Sequence, residues 1–141
     1  MITRAIAAIA CVLVVTAPAI ADSHRTMAPK DAEVYFISPQ DGATVSSPVA
    51  IRFGVKGMGL APAGVEKEKT GHHHLIIDAK LPNLDEPIPK DNNYRHFGGG
   101  QTETSVDLKS GKRTLQLLLG DHNHIPHEPP VKSNVITITV E

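Results

Sequence analysis

From about residue 33 to the C-terminus, hydrophobic and polar residues alternate with a period of two, in short runs separated by Gly, Pro, Asn and Asp. This pattern is typical of β-strands, and no stretch of useful length has the period of an amphipathic helix. Strands are predicted at 34–37, 49–57, 73–79, 102–108, 112–119 and 135–140. The expected fold is therefore all-β, an immunoglobulin-like Greek-key β-sandwich of six or seven strands.

The alternation also predicts which side chains face the core. The expected core positions in the last two strands are Leu115, Leu117, Leu119, Ile136, Ile138 and Val140. A short hairpin loop at 109–111 is predicted to join the fourth strand to the fifth. The connections 58–71 and 80–101 are longer than a sandwich needs, and long loops on a rigid scaffold often carry function.

The first 21 residues have a different pattern. Arg4 precedes a long run of Ala, Ile, Val and Leu that ends in Ala-Ile-Ala at 19–21. This is the arrangement of a secretory signal peptide, and the run is shorter than the roughly 20 residues that a membrane-spanning helix needs. We expect residues 1–21 to be cleaved, residues 22–32 to form a flexible lead-in and residues 33–141 to form the sandwich. The protein is then periplasmic or secreted, without membrane insertion after cleavage.

Composition excludes several functions. The one cysteine, Cys11, lies within the predicted signal, so the mature chain is expected to have neither a disulfide nor a thiolate ligand. The formal net charge is −1, too little positive charge for a nucleic-acid partner. Ser105 and Ser110 have strand and turn settings, and no nucleophile, general base or substrate pocket is recognisable. No enzyme activity is expected.

Histidines are the unusual feature of the chain. Seven of the eight occur in three groups along the sequence, which are His72, His73 and His74, then His96, then His122, His124 and His127. If the third predicted strand pairs antiparallel with the fifth, its first residues lie beside the end of the fifth, next to the last group. The hairpin at 109–111 would bring the start of the fourth strand, and His96, to the same end.

Such a cluster has the chemistry of a metal site. Neutral imidazole is the commonest protein ligand for zinc and copper, and three or four nitrogens must converge at about 2 Å from the ion. Because residues i and i+2 of an extended segment share a face, the predicted ligands are His72, His74, His122 and His124. His96 and His127 are predicted in support. His73 points the other way and is expected to be a buried structural histidine or a partner of a ligand.

The donor set favours copper before zinc, because it is dominated by imidazole. Met58 is a further possible ligand through its thioether, although a methionine there is more often core filler. If cleavage follows Ala21, the new terminus Asp22-Ser23-His24 could bind copper(II) through its amine, two amides and the imidazole. Two alternatives remain for the histidine cluster: a cap hydrogen-bonded to loop carbonyls, or a pH-responsive surface.

Four stretches closely resemble a secreted bacterial family catalogued as domain of unknown function 4399. They are VYFISPQDGATV at 34–45, GHHHL at 71–75, HFGGGQTE at 96–103 and LQLLLGDHNHIPH at 115–127. The resemblance implies a periplasmic or secreted stand-alone domain with the histidine groups as its signature, and it implies no activity.

The sequence thus predicts a periplasmic histidine-rich protein that binds, buffers or delivers a transition metal, copper before zinc. Its expected partners are the metal ion and a periplasmic protein. The alternative prediction is a non-catalytic cell-envelope interaction module whose histidine-rich end docks a protein or glycan.

Overall fold

The computed structural model describes residues 24–141, which form nine strands and no helix. The strands are β1 (Glu33–Ser38), β2 (Thr44–Val45), β3 (Val49–Lys56), β4 (Gly59–Leu60), β5 (Thr70–Ile77), β6 (Tyr94–His96), β7 (Glu103–Val106), β8 (Gly111–Gly120) and β9 (Ile136–Val140). They form two sheets, so the predicted all-β sandwich is confirmed. The predicted signal at 1–21 lies outside the described residues.

The smaller sheet has the strand order β1-β3-β7, and the larger has the order β2-β9-β8-β5-β4, with β6 also pairing with β5. At the centre of the larger sheet β5 and β8 run antiparallel, with His72 opposite Gly120 and Ile77 opposite Leu115. The predicted pairing of the third and fifth strands is therefore confirmed. It places the start of β5 beside the end of β8, as the histidine hypothesis required.

The predicted hairpin at 109–111 is wrong. β7 pairs with β3, where Val49 faces Val106, while β8 pairs with β5 and β9. The connection after β7 therefore crosses from one sheet to the other. β2, β4 and β6 were not predicted, because two or three residues are too few to show a period.

The main hydrophobic core lies between the two sheets. Ile51 and Phe53 of β3 meet Leu75 and Ile77 of β5 there. The six predicted core positions are confirmed as members of this cluster: Leu115, Leu117, Leu119, Ile136, Ile138 and Val140. Full burial of each such side chain contributes about 1.5–3 kcal/mol, which makes this cluster the main source of stability.

A second, smaller cluster covers the outer face of the larger sheet. Ile76 of β5 and Leu118 of β8 point away from the main core and pack with Ile88. Ile88 belongs to the connection 78–93 between β5 and β6, which we call the covering loop. Because β5 is covered on both faces, all of its residues after Thr70 are buried.

The segment before β1 is hydrogen-bonded to the domain from Arg25 onward. The amide of Ala28 donates to the carbonyl of Glu128 at 2.8 Å, and the amide of Glu128 donates to the carbonyl of Thr26 at 2.9 Å. The Arg25 guanidinium donates to the Glu128 carboxylate and to the carbonyl of His127. Within residues 24–141, no helix is long and apolar enough to cross a membrane.

Candidate metal centre

Strand alternation divides the three consecutive histidines of β5 between two faces. His72 and His74 point to the outer face with Ile76, their ring centroids 4.6 Å apart, and both side chains are fully buried. The two rings have space on this face because residue 120 of β8 is a glycine, which has no side chain. A Cβ at Gly120 would lie 2.6 Å from Cε1 of His74, so any side chain there would displace the ring.

His124 reaches the same face from a turn that follows β8. Its φ of 65° lies in the left-handed region, which is sterically disfavoured for a residue with a side chain. The turn is held by Asp121, whose Oδ1 accepts the amides of Asn123 at 2.9 Å and Ile125 at 3.0 Å, and whose Oδ2 accepts the Thr26 hydroxyl at 2.7 Å. Burial alone would raise the pKa of Asp121, but these hydrogen bonds outweigh it and lower the pKa.

His72, His74 and His124 form the histidine triad. Nδ1 of His124 lies 2.9 Å from Nε2 of His72 and 3.4 Å from Nε2 of His74. One nitrogen from each ring falls within 4.8 Å of the other two. Ligand nitrogens at 2.0–2.1 Å from a tetrahedral zinc ion are separated by roughly 3.3 Å, so small shifts of these rings would accommodate an ion.

The triad rings are held in the neutral form, which is the form that binds metal. Burial, followed by the neighbouring His124 and His96, lowers the pKa of His72 to about 4. Burial, followed by His72 and His96, lowers the pKa of His74 to about 2. Burial and the adjacent His96 lower the pKa of His124 as well, although Asp121 opposes this. Protons therefore do not compete for these nitrogens near neutral pH.

His96 lies beside the triad. β6 pairs with β5 so that His96 is directly opposite His74, and its ring stacks on His124 with centroids 4.7 Å apart. Its Nε2 donates to the carbonyls of Ile88 at 3.1 Å and Pro89 at 2.9 Å. Because carbonyls only accept hydrogen bonds, Nε2 carries a proton, and Nδ1 is the nitrogen through which this ring could bind an ion. His96 therefore reaches the histidine-rich end of the molecule as part of β6, and not at the start of β7 as the sequence predicted.

His122 does not join the triad. The prediction that His122 and His124 share a face required an extended segment, and it is wrong because this segment is a turn. Nε2 of His122 lies 2.9 Å from the side-chain amide of Asn123.

His127 and Met58 also lie outside the triad. His127 is buried, and its Nε2 donates to the carbonyl of Thr70 at 3.2 Å. It lies against Gly71, on the other face of β5 from His72 and His74: a Cβ at Gly71 would be 2.9 Å from Cε1 of His127. Met58 packs against the main core.

His73 faces the main core, as its position in the strand predicted. Its ring packs edge-on against Phe53 with centroids 4.7 Å apart. Neither of its nitrogens has a hydrogen-bond partner among residues 24–141. Burial lowers the pKa of His73 to about 4.

The N-terminal copper motif stays a prediction, because Asp22 and Ser23 lie outside the described residues. His24 itself lies beside the covering loop, with Nε2 2.9 Å from the carbonyl oxygen of Asp85.

Sequence reasoning missed the residues that orient the triad, which are Gly120, Asp121 and Ile88. The Gly-Asp pair directly after a strand is a turn signal and could have indicated that residues 121–125 are not extended. No local sequence pattern distinguishes Ile88, because its role depends on the folding of the covering loop over β5.

The fold and the triad define a small all-β domain with a buried group of histidines at one end of its central strands. A family model described as Domain of unknown function (DUF4399) matches residues 51–141. The chain belongs to this family, and the match includes the whole triad. No curated protein and no solved structure matches the chain.

Proposed function

We propose that this protein binds a transition-metal ion, copper before zinc, at the histidine triad, and that it buffers or delivers the metal in the periplasm or outside the cell. The observation that carries the proposal is the convergence of three neutral imidazole nitrogens, from β5 and the turn after β8, within 4.8 Å. Imidazole without thiolate suits copper(II) and zinc.

A metal explains the triad better than a structural cap does. Histidines that cap a loop bond to carbonyls, as His96 and His127 do. In His72 and His74, by contrast, Nε2 points at Nδ1 of His124 instead of at a carbonyl. Nδ1 of His124 can donate or accept only one hydrogen bond, so it cannot satisfy both Nε2 atoms, whereas an ion can accept a lone pair from all three rings.

The triad leaves a further ligand position for water or for His96. The hydrogen bonds at Nε2 of His96 fix the tautomer in which Nδ1 can bind metal, and its ring already contacts both His74 and His124. A site with three or four imidazoles and no identified general base suits binding and transfer, not turnover.

A groove next to His96 favours a second candidate function, the docking of a protein or glycan partner. The groove has a volume of about 600 Å³ and lies between the edges of β6 and β7. Its lining includes Lys90, Arg95, His96, Ser105 and Asp107. In this alternative the histidines shape a docking surface, and no ion binds.

Titration of the purified mature protein with copper(II) and with zinc, read by calorimetry and metal analysis, tests the proposal. We expect one ion per chain, with affinity reduced at least about tenfold in His124→Ala. His122→Ala is the matched control, since His122 lies in the same turn but outside the triad, and it should bind as the wild type does. Absence of a stoichiometric site at micromolar affinity, or equal losses in both variants, would overturn the proposal.

A further inference from the structure

Ile88 anchors the covering loop beside the triad. Its side chain is 3% exposed and packs with Ile76 and Leu118 on the outer face of the larger sheet. Because Ile76 is two residues beyond His74 in β5, this hydrophobic contact continues the row of side chains that contains His72 and His74.

The main chain of Ile88 is bonded to two histidines from different elements. Its amide donates to the carbonyl of His124 at 2.9 Å. Its carbonyl accepts from Nε2 of His96 at 3.1 Å, and the next carbonyl, that of Pro89, accepts from the same nitrogen at 2.9 Å. One residue of the covering loop thus contacts both the turn that carries His124 and the ring of His96.

His124 and His96 depend on contacts with other segments to keep their position, unlike His72 and His74. His72 and His74 lie in the middle of the larger sheet and are fully buried, so the strand itself fixes them. His124 and His96 are half-buried, and they come from a turn and from the three-residue strand β6. An ion held by the triad can leave only after at least one nitrogen withdraws, and His124 is the member of the triad that is not held within a sheet.

We propose that Ile88 is a positioning residue that holds His124 and His96 against His72 and His74. Metal release then requires the covering loop to detach, and this detachment limits the rate of release. This inference rests on the proposed function and adds to it the element that controls transfer. Groups that bond to the far side of metal-ligating histidines typically change metal affinity or activity 10–100-fold when they are altered.

The test compares Ile88→Ala with two matched variants. Ile88→Val keeps a branched anchor of nearly the same shape. Leu81→Ala removes a side chain that packs against the same outer cluster, but from a position outside the Ile88–His124 and Ile88–His96 hydrogen bonds. Each protein is loaded with zinc and mixed with an excess of a chelator, and the release is followed by stopped-flow absorbance.

We expect Ile88→Ala to release zinc at least about tenfold faster than the wild type, and Ile88→Val and Leu81→Ala to stay within about twofold of it. Zinc release from Ile88→Ala at the wild-type rate, or an equal acceleration of zinc release by Leu81→Ala, would refute this role of Ile88.

A measurement without metal separates this inference from the proposed function. Imidazole nitrogen NMR of the metal-free wild type should show His96 with its proton on Nε2, protected from exchange with solvent. Ile88→Ala should lose that protection, and Ile88→Val should restore it. A wild type that takes up neither copper(II) nor zinc refutes the proposed function and the control of release. The NMR comparison then decides the positioning role alone, and unchanged protection in Ile88→Ala counts against it.

Discussion

His73 occupies a core position where a hydrophobic residue would ordinarily stand. It shares a strand face with Leu75 and Ile77, packs against Phe53 and leaves both ring nitrogens without a hydrogen-bond partner among residues 24–141. The adjacent His72 and His74 lie on the outer face, because side chains alternate along β5, and their Nε2 atoms point at His124. Three identical residues in a row therefore have two different environments.

Replacing His73 by Leu is expected to stabilise the protein. The substitution keeps a side chain of similar volume in the core and removes buried nitrogens that lack partners, so the free energy of unfolding should rise by about 1–2 kcal/mol at pH 7. Urea denaturation followed by circular dichroism measures the change. Metal affinity should stay the same, and a loss of stability would show that the His73 nitrogens are paired in solution.

At the scale of elements, the turn after β8 determines which histidine enters the site. Asp121 accepts two amides of the turn and the Thr26 hydroxyl, and this network holds His124 in its left-handed conformation. The turn also joins the site to the N-terminal segment, because Thr26 precedes the first strand.

Asp121→Ala is expected to weaken zinc and copper binding about 10–100-fold, since the turn loses the acceptor that fixes His124. Stability should fall by about 1 kcal/mol, because the partly buried amides of the turn lose their acceptor. Asp41→Ala is the control, since Asp41 accepts the amide of Thr137 in β9. Calorimetric titration of both variants should show that only Asp121→Ala loses affinity; a similar loss in Asp41→Ala would indicate a general effect of destabilisation.

At the scale of the whole molecule, the buried histidines make stability depend on pH. Burial is the main cause that lowers the pKa of His72, His73, His74, His124 and His127 below the ordinary value of 6.5. The unfolded chain therefore binds more protons than the folded protein at mildly acidic pH. The contribution of these groups is fully present above pH 6.5 and is lost as the pH falls toward their folded-state values.

We expect the free energy of unfolding of the metal-free protein to decrease steadily from about pH 7 to pH 4. His73 alone should account for about 3 kcal/mol of the decrease, because its pKa falls from 6.5 to about 4 and each pKa unit corresponds to about 1.4 kcal/mol. Urea denaturation across this range measures the dependence, and His73→Leu should flatten it. A constant stability between pH 7 and pH 5 would contradict the burial of these rings.

Much of the fold followed from local pattern. The period of two predicted the main strands, the core leucines of β8 and the direction of His73, because the face on which a strand residue lies depends only on its place in the alternation. The pairing of β5 with β8 followed from the expected order of strands in a sandwich. The sequence alone therefore determined an all-β domain with its histidines concentrated near one end.

Only the tertiary structure decided which histidines meet. β7 pairs with β3, β6 brings His96 opposite His74, and the turn held by Asp121 selects His124 instead of His122. Ile88 acquires its contacts because the covering loop folds back over the outer face of β5. These choices depend on hydrogen bonds and packing between segments distant in the chain, and the residue-by-residue alternation of polarity carries no information about such contacts.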